Sequence, residues 1–417
     1  MNFIGIAMKE TCFMRRLIGG LSFIACVSVF MLEFGGCKNE TTPSLFDPNY
    51  KGKPAPTVSS IAPTSGLAGL TTLTITGSNF SSTKEENSVL FDAVTAQVLT
   101  ATATQLTVRA PNLPKDSIKV KVTVFGAEQF SNIVLCKLEA AVAEFGNIQS
   151  NEEPWGIACD KDGNVYVSLI SAGIAAGIKK FTPAGVRSDY APAAGILKFS
   201  ALKFGPGGYL YASRGLRALY RIPPGGGSPA LWLAPSSGIG PVYDFDFDAQ
   251  GNLWGGGNDV AIYRVKPDPD KSIKAFAFTG NVRSLRVYNG YVYIAANADN
   301  VDKIWRFPII SSDSLGPAEI YFNFSEKYGV SGAGAYAITF SSDGEMYVGT
   351  DGPAGIILVH PDKSWEQYYP GLFQPQTLLF AWGSGSTLYL TRSGTVASHT
   401  IFKVNTQKTS APYYGRQ

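Results

Sequence analysis

Histidine is nearly missing from this sequence: His360 and His399 are the only two in 417 residues. With no paired histidines and no Cys/His group at metal-ligand spacing, the common transition-metal motifs have no support. Charge is sparse too, at 16% of residues, and the 35 Lys and Arg are scattered singly against 32 Asp and Glu. No basic stripe points to nucleic acid. Cysteine is limited to five. Cys12, Cys26 and Cys37 lie near the N-terminus, while Cys136 and Cys159 sit in apolar contexts that suit small buried hydrophobes. Their spacing leaves a bridge between them open. There is also no Gly-x-Ser-x-Gly elbow and no phosphate-cradling loop. Asp162-Gly163-Asn164 lacks the further oxygen ligands of a calcium loop and is explained by a tight turn.

What is abundant is turn and strand chemistry. The chain has 45 Gly, 25 Pro, 20 Tyr and 25 Phe, the composition of many short strands joined by tight turns, and it is too long for one ordinary core. Apolar residues alternate by two, and Gly or Pro interrupts each candidate helical run. The expected fold class is all-β, with more than one domain.

Residues 1–36 differ from the rest. Arg15 and Arg16 precede an apolar run from Leu17 to Leu32, about the length of a signal core and short for a span of roughly 20 residues. Met8 offers an alternative start. The run ends in Phe34-Gly35-Gly36-Cys37, which resembles the lipobox of bacterial lipoproteins and implies cleavage before Cys37 and acylation of it. An ordinary secretory signal and a single-span anchor are the other readings. Lys38-Asn39-Glu40 resembles the charged surface-export tag of Bacteroidetes lipoproteins. The resemblance implies an exported protein, lipid-anchored to the outer membrane and surface-exposed, that meets the membrane through the lipid alone. Residues 37–54, with Thr-Thr-Pro, Asp-Pro-Asn and Lys-Gly-Lys-Pro and without periodicity, read as a tether.

Residues 55–138 alternate as short half-buried strands, as in Thr72-Leu-Thr-Ile-Thr76 and Lys119-Val-Lys-Val-Thr-Val124, and about seven of them predict a sandwich. Ile61-Ala-Pro63, Gly66, Gly69, Thr74-Ile-Thr-Gly-Ser-Asn-Phe80 and Val108-Arg-Ala-Pro111 resemble the IPT/TIG family of immunoglobulin-like domains. In that family the module serves as a spacer or contact domain without enzymatic residues. Gly77 is expected to relieve a bend, Asn79 to cap the turn and Phe80 to plug the core.

Residues 139–417 repeat themselves. Asp160-Lys-Asp-Gly163-Asn-Val-Tyr166 recurs, loosely, around Gly208, Gly251, Gly290 and Gly344, with Tyr389 in a sixth copy. A period of about 40–50 residues predicts one four-stranded blade per repeat. Third strands end in a shared signature such as Tyr220-Arg-Ile-Pro223 and Trp305-Arg-Phe-Pro308. Ala140–Phe145 is placed to pair into the last blade and close the ring. Pro154–Val167 is the copy that most resembles NHL-repeat propellers, and six separate blades are expected.

The repeat register brings two sets of loops to the mouth of the channel. Trp155, Tyr243, Arg283 and Tyr336 fall where the innermost strands begin. Arg214, Asn258, Asp259, Asn297, Asp299, Asp351 and Arg392 fall where second strands end. Such a polar, aromatic rim suits a glycan, a peptide or a cell-envelope protein. No catalytic residue, metal or cofactor is assigned. Lys203, Asp246 and Arg286 fall on successive innermost strands, where a structural ion pair is expected. Two enzyme families share this architecture. Gluconolactonase-like propellers would require a metal on Glu152 or Glu153, Asn258 and Asp351, but their Asn-Gly approach to an inner strand is replaced by Ala335-Tyr336-Ala337. Streptogramin-lyase-like propellers would require a catalytic histidine, for which His399 is the candidate.

Overall fold

Alternation in the first third produces strands with one dry face. In Thr72–Ser78, Leu73 and Ile75 are fully buried while Thr72 and Thr76 face solvent, the period-2 pattern of a half-buried strand. The computed structural model describes residues 51–373, 376–393 and 398–416. The signal segment, Cys37 and most of the tether lie outside them.

Eight strands pair in the order Thr57–Ala62, Thr72–Ser78, Gln105–Arg109, Val94–Ala101, Asn87–Phe91, Lys115–Val124, Val134–Glu139 and Ser65–Leu67. Val94–Ala101 joins two layers by pairing with Asn87–Phe91 through its first residues and with Gln105–Arg109 through its last. The core between the layers includes Leu73, Ile75, Val89, Phe91, Leu106, Val120 and Cys136. The signature turn works differently in part from expectation. A Cβ on Gly77 would run into the carbonyl oxygen of Thr57, so close approach of two strands requires glycine there. Asn79 takes a left-handed φ of 61° and donates from Nδ2 to Ala55 O at 2.9 Å. Phe80 is buried, as expected.

Beyond Glu139 the strands gather into small antiparallel sheets. The first repeat is Glu152–Cys159, Val165–Ser171, Ile174–Phe181 and Arg187–Ala191, and the second runs from Ala201–Phe204 to Ala230–Leu233. The fifth spans Ala335–Phe340 to Trp365–Gln367. In the last sheet Leu379–Trp382, Thr387–Arg392 and Thr400–Asn405 are completed by Val142–Phe145, with Phe145 opposite Ile401. Six separate sheets do not form, however. Ile273–Tyr288 is a single 16-residue strand that pairs on one side with Asn258–Val265 and on the other with Tyr291–Ala298. The third and fourth repeats therefore merge into one eight-stranded sheet beside four four-stranded ones. Physically, Phe278-Thr-Gly-Asn-Val282 continues extended where the other repeats break into a loop. The innermost strands touch in turn, from Glu152–Cys159 through Ala201–Phe204, Asp244–Phe247, Ile273–Tyr288, Ala335–Phe340 and Leu379–Trp382 back to the first. The result is a propeller-like arrangement.

The repeated residues have structural work to do. Asp160 accepts from the backbone N–H of Asp162 and Asn164, from Asn164 Nδ2 and from the Tyr166 hydroxyl at 2.9 Å. Asp248 does the same for Gln250, Asn252 and Trp254 Nε1. The turn glycines Gly163, Gly208, Gly251, Gly290 and Gly344 all have positive φ. Serines on or just after second strands staple neighbouring sheets: Ser168 Oγ accepts from Phe199 N–H at 2.9 Å, and Ser213 and Ser393 donate to the carbonyls of Val242 and Pro154. Cys136 and Cys159 are buried and form no disulfide.

Candidate functional site

The channel has two ends, and the chain treats them differently. At the end where innermost strands finish, the C-terminal segment crosses underneath. Ala411 N–H bonds Phe340 O at 3.0 Å, the Tyr413 hydroxyl bonds Trp382 O at 3.0 Å, and the Tyr414 ring lies 5.8 Å from that of Phe247. Above it lies a cavity of about 50 Å³ lined by Lys203, Asp246, Arg286, Phe340, Trp382 and Tyr413, among others. That volume holds a few waters and no sugar ring.

Charge around this cavity is arranged for structure. Arg286 pairs with the fully buried Asp244 at 2.8 Å, not with Asp246 as the sequence suggests. Asp244 also accepts from Ser284 Oγ and Leu285 N–H, and Asp246 from Phe247 and Val287 N–H. Burial pushes the Asp244 carboxyl up, but Arg286, Lys203 and the hydrogen bonds outweigh it and hold it below the usual range. For Asp246 burial prevails and the shift is upward. Burial, reinforced by Arg286, pushes Lys203 down to about 8.

At the other end, the expected upper rim, Tyr243 and Tyr336 stand where innermost strands begin, Trp155 and Arg283 lie within innermost strands, and the remaining seven expected residues lie at or beside the turns between second and third strands. Arg283, Asn297, Tyr336 and Asp351 converge. Asp302, a residue that sequence reasoning missed, is their centre: it is paired with Arg283, accepts from Asn297 Nδ2 at 2.7 Å and from Ala335 N–H at 3.2 Å. The Arg283 guanidinium lies 4.5 Å from the Tyr336 ring centroid. Asp351 accepts from Gly334 N–H at 2.7 Å. Burial, partly countered by Arg283, pushes the Tyr336 phenol up.

The other seven do not join this cluster. Trp155 is half-buried, its indole N–H has no partner among the described residues, and Lys198 Nζ sits 2.9 Å over its ring. Lys198 itself is pushed down by burial. Tyr243 is half-buried. Arg214 is exposed and reaches the Tyr220 hydroxyl at 3.5 Å. Asn258 is exposed, and Asp259 accepts from the Tyr263 hydroxyl at 2.6 Å. Asp299 is exposed, with a left-handed φ of 53°. Arg392 is buried and bonds Ser398 O at 2.6 Å.

Of the residues that a gluconolactonase-like metal would need, Glu152 is committed elsewhere. Both Glu152 carboxylate oxygens are taken, by Arg187 at 2.7 and 2.9 Å and by Gln149 N–H at 3.0 Å. Among the described residues no group of three or more His, Cys, Asp or Glu is arranged to hold a metal ion. His360 bonds Glu345 at 2.7 Å in a turn away from the rim, and His399 is half-buried just before Thr400–Asn405.

Comparison with solved structures shows the same architecture elsewhere. A putative phosphatase from Bacteroides thetaiotaomicron is 12% identical with a TM-score of 0.56, covering 84% of this chain and 97% of that one. An auxiliary nutrient binding protein from the same organism is 12% identical with a TM-score of 0.51, covering 86% and 98%. Regucalcin, a calcium-binding protein from Agrobacterium tumefaciens, is 14% identical with a TM-score of 0.50, covering 65% and 95%. At these identities the likeness is one of fold. A search of curated proteins finds no match. Among protein families, residues 56–137 match the IPT/TIG domain.

Proposed function

We propose that this chain is a non-catalytic binding lipoprotein of the cell envelope, anchored through Cys37, whose propeller captures a glycan, a peptide or a partner protein at its upper rim. We read the eight-stranded sheet as two blades sharing one strand, which gives an NHL-like ring of six. The observation that carries the binding reading is the stack of Arg283 on Tyr336, fixed from below by Asp302 and Asn297. A guanidinium and a phenol held in place on neighbouring strands form a preorganised surface for sugar rings or peptide planes. The C-terminal segment crosses the lower end, which favours the upper rim as the mouth. The engagement of Glu152 by Arg187 and Gln149 weakens the metal-dependent alternative, and a fold shared with a nutrient-binding protein is compatible with binding.

A glycan and peptide array probed with the intact protein tests the reading. Tyr336→Ala and Tyr243→Ala are expected to weaken a hit by about tenfold or more, as loss of an aromatic anchor does, with unchanged melting. Equal binding by wild type and both variants, or turnover of the captured ligand, would sink it.

A further inference from the structure

Besides Val94, four large apolar side chains stand in solvent on the sandwich: Phe125 at 77%, Phe130 at 52%, Ile133 at 53% and Leu135 at 59% exposure. They share one outer face. Lys115–Val124 points Ile118, Val120, Val122 and Val124 into the core and its alternate residues outward. Leu135 stands opposite Lys119, and half-buried Leu90 opposite Lys121. The Lys121 ammonium lies 4.1 Å over the Phe130 ring. Scattered surface apolars need no explanation, but a cluster on one face does.

Its place along the chain says what covers it. The chain enters the sandwich at Lys53, which donates its N–H to Gly126 O at 2.7 Å and pairs with Ala127, next to Phe125. It leaves at the opposite pole, where Leu138 pairs with Lys115 before running on to the propeller. The ten-residue strand Lys115–Val124 separates the two poles, about 33 Å at the usual strand rise. Phe125 and Phe130 therefore sit at the tether pole. From Cys37 to Lys53 is 16 residues, a reach of at most about 55 Å.

We infer that this face of the sandwich, built on Phe125, Phe130, Ile133 and Leu135, rests on the surface of the lipid bilayer. The inference rests on the lipid-anchor reading and adds a second membrane contact to the acyl chain. Aromatic and aliphatic side chains enter the headgroup boundary while Lys119 and Lys121 reach lipid phosphates. The acidic residues nearby do not neutralise it as a group. Asp92 is paired with Lys115, and Asp116 and Glu139 with Lys137, leaving Glu128 as the acidic side chain between the two phenylalanines. The lipid on Cys37 holds the chain at one point through a long tether, so a second contact orients the propeller outward.

Co-sedimentation with phosphatidylethanolamine–phosphatidylglycerol vesicles tests this on the unacylated polypeptide beginning at residue 38, since Lys53–Gln417 forms one compact unit. The wild type is expected to bind, and Phe125→Ser with Phe130→Ser to lower the bound fraction about tenfold while melting stays unchanged. Binding no better than that of the double variant overturns the inference. So does a dimer in sedimentation velocity that the double variant abolishes, because a second copy would then own the face. Mass spectrometry of Cys37 in the membrane fraction separates the two readings. An unmodified Cys37 with vesicle binding intact sinks the anchor and keeps the surface; an acylated Cys37 with no vesicle binding sinks the surface alone.

Discussion

Lys203 shows how a single buried charge links the ring to pH. Its ammonium lies against the cavity beneath the channel, with Asp244 and Asp246 near enough to attract it and Arg286 near enough to repel it. Burial dominates, so its proton is held less tightly in the folded protein, at about 8, than in the unfolded chain, where a lysine titrates near 10.4. Below pH 8 both states carry the charge and the cost of burying it is fully felt. Between about 8 and 10.4 the unfolded state holds more protons, so stability rises with pH. Denaturant unfolding of wild type and Lys203→Met at pH 7.5 and 10 should show the wild type gaining on the variant, by at most on the order of 3 kcal/mol. Parallel behaviour of the two proteins would show that the ammonium is solvated through the cavity.

Closure of the ring depends on one element borrowed from outside the repeats. Val142–Phe145 lies before the first repeat yet forms the outer strand of the last sheet. Phe145 is buried there, 4.7 Å from the Tyr389 ring and 6.0 Å from that of Phe181 in the first sheet. Phe145→Ala removes a side chain from the seam between the two ends of the ring and should cost about 3–5 kcal/mol, read from urea unfolding. A loss below about 1 kcal/mol would mean that the seam is held elsewhere. This closing strand was legible in the sequence, as were the turn aspartates, glycines and aromatics, because each acts within a few residues of itself. The run-on of Ile273–Tyr288 was not, since whether a chain bends between two sheets depends on what it pairs with on both sides. Asp302 and Lys198 escaped notice for the same reason. Each gains its meaning from a partner far along the chain or in the next sheet, namely Arg283 and Ala335 for one and Trp155 for the other.

At the scale of the whole molecule the two halves keep separate cores. The sandwich core runs from Val58 to Leu138 and includes no propeller residue. Propeller cores, by contrast, lie between sheets: one joins Phe145 and Ile401 to Ile157 and Val165, another joins Tyr293 and Ile304 to Ile338 and Val348. Each needs both of its neighbours, so the ring should melt as one cooperative unit, and the sandwich as another. Contacts between the halves include a 3.5 Å hydrogen bond from Asn405 to Glu139 and a side chain of Leu372 beside Gly69. Leu73→Ala, in the sandwich, and Ile338→Ala, in the ring, each empty a fully buried site and should cost about 2–5 kcal/mol. In differential scanning calorimetry the first should lower one transition and leave the other in place, and the second should do the reverse. If either substitution moves a single common transition, the sandwich is part of the ring's cooperative fold. Its outward face would then be a rigid extension of the propeller, and anything that holds that face would set the direction in which the upper rim points.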